Sequence, residues 1–66
     1  NGLLRRTLQA WFRHNVQPLA TSKALFIHRN TLEYRLNRIS ELTGLDLGSF
    51  DDRLLLYIAL QLDEQR

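Results

Sequence analysis

The chain has 66 residues, so it holds one domain at most, and a domain of this size buries only about 60% of the surface its unfolded chain exposes. That leaves no interior for a deep substrate pocket, and the absence of cysteine excludes disulfides, thiol chemistry and zinc-thiolate sites. Net charge is +2, but residues 1–38 carry seven Lys/Arg against Glu33 alone, while residues 39–66 carry Arg53 and Arg66 against six acids.

Such a division implies one basic and one acidic surface, and only the first suits a polyanion. Ordinary solvated charge is the competing reading. His14 and His28 are fourteen residues apart with no evident carboxylate partner, so neither a metal site nor a cofactor is expected. No apolar run approaches the roughly 18 residues of a membrane helix, and no signal peptide opens the chain. A soluble, cytoplasmic domain without membrane contact is the expectation. The opening Asn1-Gly2 has no initiator Met, and apolar periodicity begins at once. Residues 1–66 therefore read as a single domain of a longer protein.

Strand signals are nearly absent, and four helices account for most of the chain. The first is expected over residues 3–13, with Leu4, Leu8 and Trp11 at helical spacing and Phe12 beside them. Arg5, Arg6, Gln9 and Arg13 fall mostly outside that stripe. Asn15 helps to end it, and Pro18 suits the first turn of the next helix because it has no N–H to leave unpaired. The second helix is short, residues 18–25, with Leu19, Ala24 and Leu25 expected inward. Small Ala20, Ser22 and Ala24 would let another helix pack close.

The third helix is expected over residues 30–43. Asn30 is a good N-cap, Glu33 can complete a capping-box-like pair, and Gly44 is a natural stop. Leu32, Leu36 and Ile39 make its apolar side. At about 100° per residue, Asn30, Tyr34, Asn37 and Glu41 gather opposite, with Thr31, Arg35 and Arg38 along a flank. A short fifth turn has room near residues 45–47. The fourth helix is expected from Ser49, with Asp52 as capping partner, to about Glu64. Phe50, Leu54, Leu55, Ile58 and Leu62 make a broad core face, and Leu56 and Leu60 form a pair roughly opposite it. That pair is either scattered exposed leucine, which is normal, or a contact with another domain or subunit.

Catalysis finds no support. Ser22, Ser40 and Ser49 lack a neighbouring His and acid, no glycine-rich phosphate loop is present, and Asp51 and Asp52 suit a helix start electrostatically. The second and third helices joined by a tight turn read instead as a helix-turn-helix, whose second helix can enter the major groove of DNA. Arg29, at the start of that helix, can reach a phosphate or a guanine edge. Asn30 can read adenine if it is not the cap, which is the favoured role. Thr31 can bond a phosphate or touch a thymine methyl. Tyr34 can bond phosphate unless it is half-buried against the second helix. Arg35 and Arg38 suit phosphates, His28 a phosphate or base unless it is structural, and Thr21 and Lys23 phosphates across the groove.

The string Thr21-Ser22-Lys23-Ala24-Leu25-Phe26-Ile27-His28-Arg29-Asn30-Thr31-Leu32-Glu33-Tyr34-Arg35-Leu36, followed by Arg38-Ile39, Leu42-Thr43-Gly44 and Leu45-Asp46, resembles the C-terminal helix-turn-helix of the PucR-type transcription factors. The likeness reaches from Leu4, Thr7 and Leu8 to the last helix. It implies an all-α, Fis-like fold and a bacterial transcription activator that binds double-stranded DNA. The nearest members imply sugar diacids such as glucarate and galactarate, or the related glycerate, as inducers sensed by upstream domains. Ser22 stands where the family usually has Ala. Phe26 stands where helix-turn-helix turns often have Gly, so a turn of different shape is expected. Recognition is expected to need a homo-oligomer, because one such helix reads only a few base pairs. Two rivals stay open: a helical interaction module using Leu56 and Leu60, and an RNA-binding domain, for which no aromatic stacking platform is evident.

Overall fold

A computed structural model describes residues 2–65; Asn1 and Arg66, and with them the opening residue and one of the basic charges, lie outside the described residues. Four helices follow in chain order: α1 Gly2–Arg13, α2 Pro18–Leu25, α3 Arg29–Thr43 and α4 Phe50–Glu64. Helices α1, α2 and α3 pack on one another. There is no strand among the described residues, and no helix long and apolar enough to cross a membrane.

The expected stripe of α1 supplies Leu8 and Trp11 to the core, with Leu4 and Phe12 half-buried beside them. Thr7 is also enclosed. Its hydroxyl donates to the Leu3 carbonyl at 2.9 Å, so burial leaves the group satisfied. The helix ends in a Schellman-type turn: the Val16 N–H reaches the Trp11 carbonyl at 2.8 Å and the Asn15 N–H reaches Phe12 at 3.1 Å. Asn15 and Val16 both take left-handed backbone, φ 59° and 55°. Asn tolerates this region, whereas β-branched Val is strained there.

Pro18 opens α2 as expected, after an extended Gln17. The inward face differs from expectation. Leu19 and Ala24 are exposed and Leu25 is half-buried, while Thr21 and Ser22 are the enclosed pair. Their hydroxyls bond back into their own helix, Thr21 to the Gln17 carbonyl at 2.7 Å and Ser22 to Leu19 at 2.9 Å. Small, self-satisfied side chains let α2 approach its neighbours more closely than leucines would.

In α3, Leu32 is fully enclosed and Ile39 nearly so, with Leu36 packed against the core. Gly44 stops the helix at φ 72°, its N–H bonded to the Ser40 carbonyl at 2.8 Å. The link to α4 forms no fifth helix. Asp46 organises it instead, its side chain accepting the Gly48 N–H at 2.8 Å and its carbonyl accepting the Ser49 N–H at 3.0 Å. Ser49 then caps α4, as expected, by accepting from the Asp52 N–H at 3.5 Å.

Helix α4 is rotated relative to the sequence reading. Leu56 and Leu60, at 8% exposure, join Leu8, Trp11 and Ile39 in the core, while Phe50, Leu54, Leu55, Ile58 and Leu62 stay 45% or more exposed. Polar pins explain the inversion. Asp52 accepts the Asp46 N–H at 2.8 Å and Arg53 donates to the Leu47 carbonyl at 3.4 Å. At the far end Asp63 pairs with Arg5, and Glu64 accepts from Gln9. Leu56, Leu60 and Asp63 lie at i, i+4 and i+7, so an Asp63 held by α1 brings both leucines inward with it. Tyr57 sits at the margin of this contact, edge-on to Phe12 at 5.4 Å.

This register predicts unequal effects within α4. Leu56→Ala lowers unfolding stability by about 2–3 kcal/mol, whereas Leu55→Ala changes it by about 0.5 kcal/mol or less. Urea midpoints followed by circular dichroism check this, and the reverse order would restore the face read from the sequence.

Candidate nucleic-acid interface

The turn between α2 and α3 is built by the C-terminal cap of α2. Phe26 takes left-handed backbone, φ 57° and ψ 42°, and its N–H bonds to the Lys23 carbonyl at 3.2 Å. The Ile27 N–H reaches the Ser22 carbonyl at 3.0 Å, completing a Schellman motif. The expectation of a differently shaped turn is therefore corrected. The left-handed geometry that Gly adopts without penalty is kept, with a phenylalanine in it at roughly 1 kcal/mol or more.

The start of α3 is also corrected. The N-cap is His28, not Asn30: the His28 Nδ1 accepts the Asn30 N–H at 3.0 Å. The helix begins one residue earlier than expected, at Arg29, and the Asn30–Glu33 capping pair gives way to His28. An accepting Nδ1 carries no proton, so the ring proton sits on Nε2, where it can be donated. The Asn30 amide is released from capping and lies exposed.

Burial of Leu32 and Ile39 sets the rotation of α3. With about 100° per residue, Asn30, Tyr34 and Asn37 point away from them, and Arg29 and Arg35 flank that direction on its two sides, each about 120° from its centre. Tyr34 is 68% exposed, which removes the alternative of burial against α2. Arg29, Thr31 and Arg38 are exposed as well. Arg38 donates to Glu41 at 3.2 Å, an exposed i, i+3 pair that contributes at most about 1 kcal/mol and can open for a phosphate.

Two residues sit differently from expectation. Thr21 is fully enclosed with its hydroxyl committed to Gln17, so it stands behind the surface and cannot touch a phosphate there. Arg35 is half-buried and leans on α1, one guanidinium nitrogen 3.4 Å from the Thr7 hydroxyl. That contact is long for a hydrogen bond and leaves other N–H groups on the fork. Lys23 is exposed near the end of α2. Asn37 was not singled out from the sequence, yet it lines a shallow recess with Tyr34, Arg38 and Glu41. Its angular place beside Asn30 and Tyr34 was the available signal.

Comparison with known proteins follows the same lines. Residues 4–62 match the family described as the PucR C-terminal helix-turn-helix domain. The chain belongs to this family. It is 94% identical over its whole length to the Carbohydrate diacid regulator of Escherichia coli (strain K12), of which it spans 17%. It is 38% identical over 63 residues, 96% of the chain, to the Proline-responsive transcriptional activator PutR of Bacillus subtilis (strain 168), covering 15% of it. It is 44% identical over 59 residues, 89% of the chain, to the Transcriptional activator PmfR of Paenarthrobacter nicotinovorans, covering 13% of it. The chain thus spans less than a fifth of each of these relatives. No solved structure matches it.

His28 caps α3 and so fixes where that helix starts. Removing that cap should cost stability, while removing the Asn30 side chain should not. His28→Ala lowers stability by about 1 kcal/mol, His28→Asn restores most of it, and Asn30→Ala stays within about 0.5 kcal/mol of the parent. Thermal unfolding of the three variants checks the assignment, and a larger loss in Asn30→Ala than in His28→Ala would return the cap to Asn30.

Proposed function

We propose that this domain confers sequence-specific binding of double-stranded DNA on a cytoplasmic bacterial transcription activator of genes for sugar diacid use, with glucarate, galactarate or glycerate as the inducer class bound by other domains. The domain itself performs no catalysis. The observation that carries the reading is the outward face of α3, on which Asn30, Tyr34 and Asn37 point away from buried Leu32 and Ile39, with Arg29 exposed at the helix start and Arg35 on the opposite flank, half-buried against α1.

Placed in a major groove, the Asn30 amide meets adenine N6 and N7, a pairing that no other base edge reproduces. Thr31 and Tyr34 reach a thymine methyl or a phosphate beside it. Arg29 takes a guanine edge or a phosphate on one wall, and Arg35 and Arg38 take phosphates on the other. Lys23 and the His28 Nε2–H add phosphate contacts from the turn. Thr21 supports this surface from behind and is not part of it. The phosphate contacts supply most of the affinity and its salt dependence, and the base contacts supply the specificity.

One recognition helix covers only a few base pairs, so the activator acts as a homo-oligomer on paired half-sites. The apolar face of α4 is the surface that suits self-association. It is formed by Phe50, Leu54, Leu55, Ile58 and Leu62, and monomeric proteins rarely expose so continuous a patch. It also belongs to the acidic half of the chain, so its use leaves the basic half free for DNA.

Selection from a randomised duplex library should enrich one motif, and the enriched duplex then serves as probe. Arg29→Ala and Arg35→Ala each weaken its binding about tenfold or more without unfolding the protein, and each reduces the slope of log K against log salt by about 0.9 if a phosphate contact is lost. Fluorescence anisotropy at several salt concentrations checks this. No enrichment, or affinity that both variants share with the parent, would refute the reading.

A further inference from the structure

Phe26 is unfavourable twice over within the isolated fold. Its backbone lies at φ 57°, where L side chains other than Asn and Asp are uncommon. Its ring is 94% exposed, so the domain gains almost nothing from it in packing. A glycine would hold the same Schellman turn without strain, and an asparagine nearly so. The ring therefore serves something outside this domain. Its surroundings identify that partner. The turn lies next to the His28 cap and the Arg29 end of α3, and Lys23 precedes it. The charged side chains between residues 21 and 32, Lys23 and Arg29, are both basic, and Glu33 follows one turn into α3. A cationic collar around an exposed aromatic ring suits the sugar-phosphate edge of a duplex better than an apolar protein surface.

We propose that Phe26 is a DNA-contact residue: its ring lies against an apolar element of the duplex at the groove edge, a deoxyribose face or a thymine C5-methyl, while Lys23, His28 and Arg29 hold the neighbouring phosphates. This rests on the DNA-binding reading of α3 and adds a contact of different chemistry. Apolar contact with the duplex releases no counterions, so it adds affinity without adding to the salt slope. The basic residues do both.

The test compares Phe26→Gly, Phe26→Asn and Phe26→Tyr with the parent protein and with Arg29→Ala, using the duplex enriched by selection. Phe26→Gly and Phe26→Asn should melt at or above the parent temperature, because both relieve the turn. They should bind about five- to twentyfold more weakly with an unchanged salt slope. Phe26→Tyr, which keeps the ring, should bind within about twofold of the parent. A duplex with deoxyuridine in place of thymidine separates the two sources. If the parent falls to the level of Phe26→Asn and the variant loses nothing further, the ring meets a methyl group. If both lose equally or not at all, it meets a deoxyribose. Parent-like affinity in Phe26→Gly and Phe26→Asn overturns the proposal, as does a loss accompanied by a lower melting temperature or by a slope change of about one. Should Arg29→Ala weaken binding while the Phe26 variants do not, only this proposal falls. Should the parent itself show no salt-dependent duplex binding, the DNA reading falls with it.

Discussion

The rotation of α3 is the constraint on which the remaining structure depends, and it is set where α1, α2 and α3 meet. Leu32 must vanish from solvent for α3 to present Asn30 and Tyr34 outward. It can do so only if its neighbours come close, and bulky side chains on α2 would hold them apart. The enclosed residues of α1 and α2 beside the main core are Thr7, Thr21 and Ser22, all small and all polar. A buried hydroxyl without a partner costs about 1–3 kcal/mol. Each of these instead donates to a carbonyl three or four residues earlier in its own helix, so none needs a partner on the facing helix. The junction is then close, and the Arg35 guanidinium of α3 reaches the Thr7 hydroxyl across it at 3.4 Å. Shape is the main determinant of how α3 sits in it.

The turns convert that packing into direction. Both α1 and α2 end in Schellman-type caps whose left-handed residues are Asn15 and Val16 in the first and Phe26 in the second, rather than glycine. Such a cap satisfies the last carbonyls of the helix while reversing the chain within a few residues. The turn after α2 leads directly into the His28 cap of α3. Capping by His28 moves the satisfied group off the helix proper. That leaves the first two turns of α3, Arg29 through Arg35, with side chains that owe nothing to the helix end, apart from the Leu32 anchor and the lean of Arg35 on Thr7. A reader of DNA needs this economy, because a side chain that caps a helix is held in one rotamer and cannot also approach a base.

How far the sequence discloses the fold follows from the same physics. Pro18, Gly44 and Ser49 mark boundaries by backbone chemistry that acts locally, and the helices end where these residues imply. The α3 face was legible because Leu32, Leu36 and Ile39 repeat with helical spacing and no polar pin competes with them. The inward face of α2 was hidden because threonine and serine read as surface residues unless their hydroxyls are known to bond backward. The α4 face was hidden for a different reason. Counting apolar residues favours Phe50, Leu54, Leu55, Ile58 and Leu62, but the helix is turned by contacts to residues more than fifty positions away, Asp63 to Arg5 and Glu64 to Gln9. Periodicity cannot contain such long-range terms. The His28 cap lay in between: histidine is a poor statistical candidate beside Asn30, and only the geometry of the turn brings its Nδ1 to the amide.

The pins on α4 also shape the electrostatics. Seven basic residues precede position 39, and a uniform spread of them would make the whole domain weakly cationic. Arg5 is instead joined to Asp63, so its field is largely cancelled at the far side of α1. Arg38 is shared with Glu41, which places a carboxylate where α3 runs past its second turn. Lys23 and Arg29 stand exposed at the turn, with His28 between them. Arg6 and Arg13 also stay exposed on α1, so the remaining positive charge is carried by α1 and by the turn and start of α3. At the N-terminus of α3 the helix dipole adds to the positive side-chain charge. The acidic fourth helix is therefore more than a lid on a small core. Through Asp63 it also pairs with Arg5, removing one cation of the basic half of the chain.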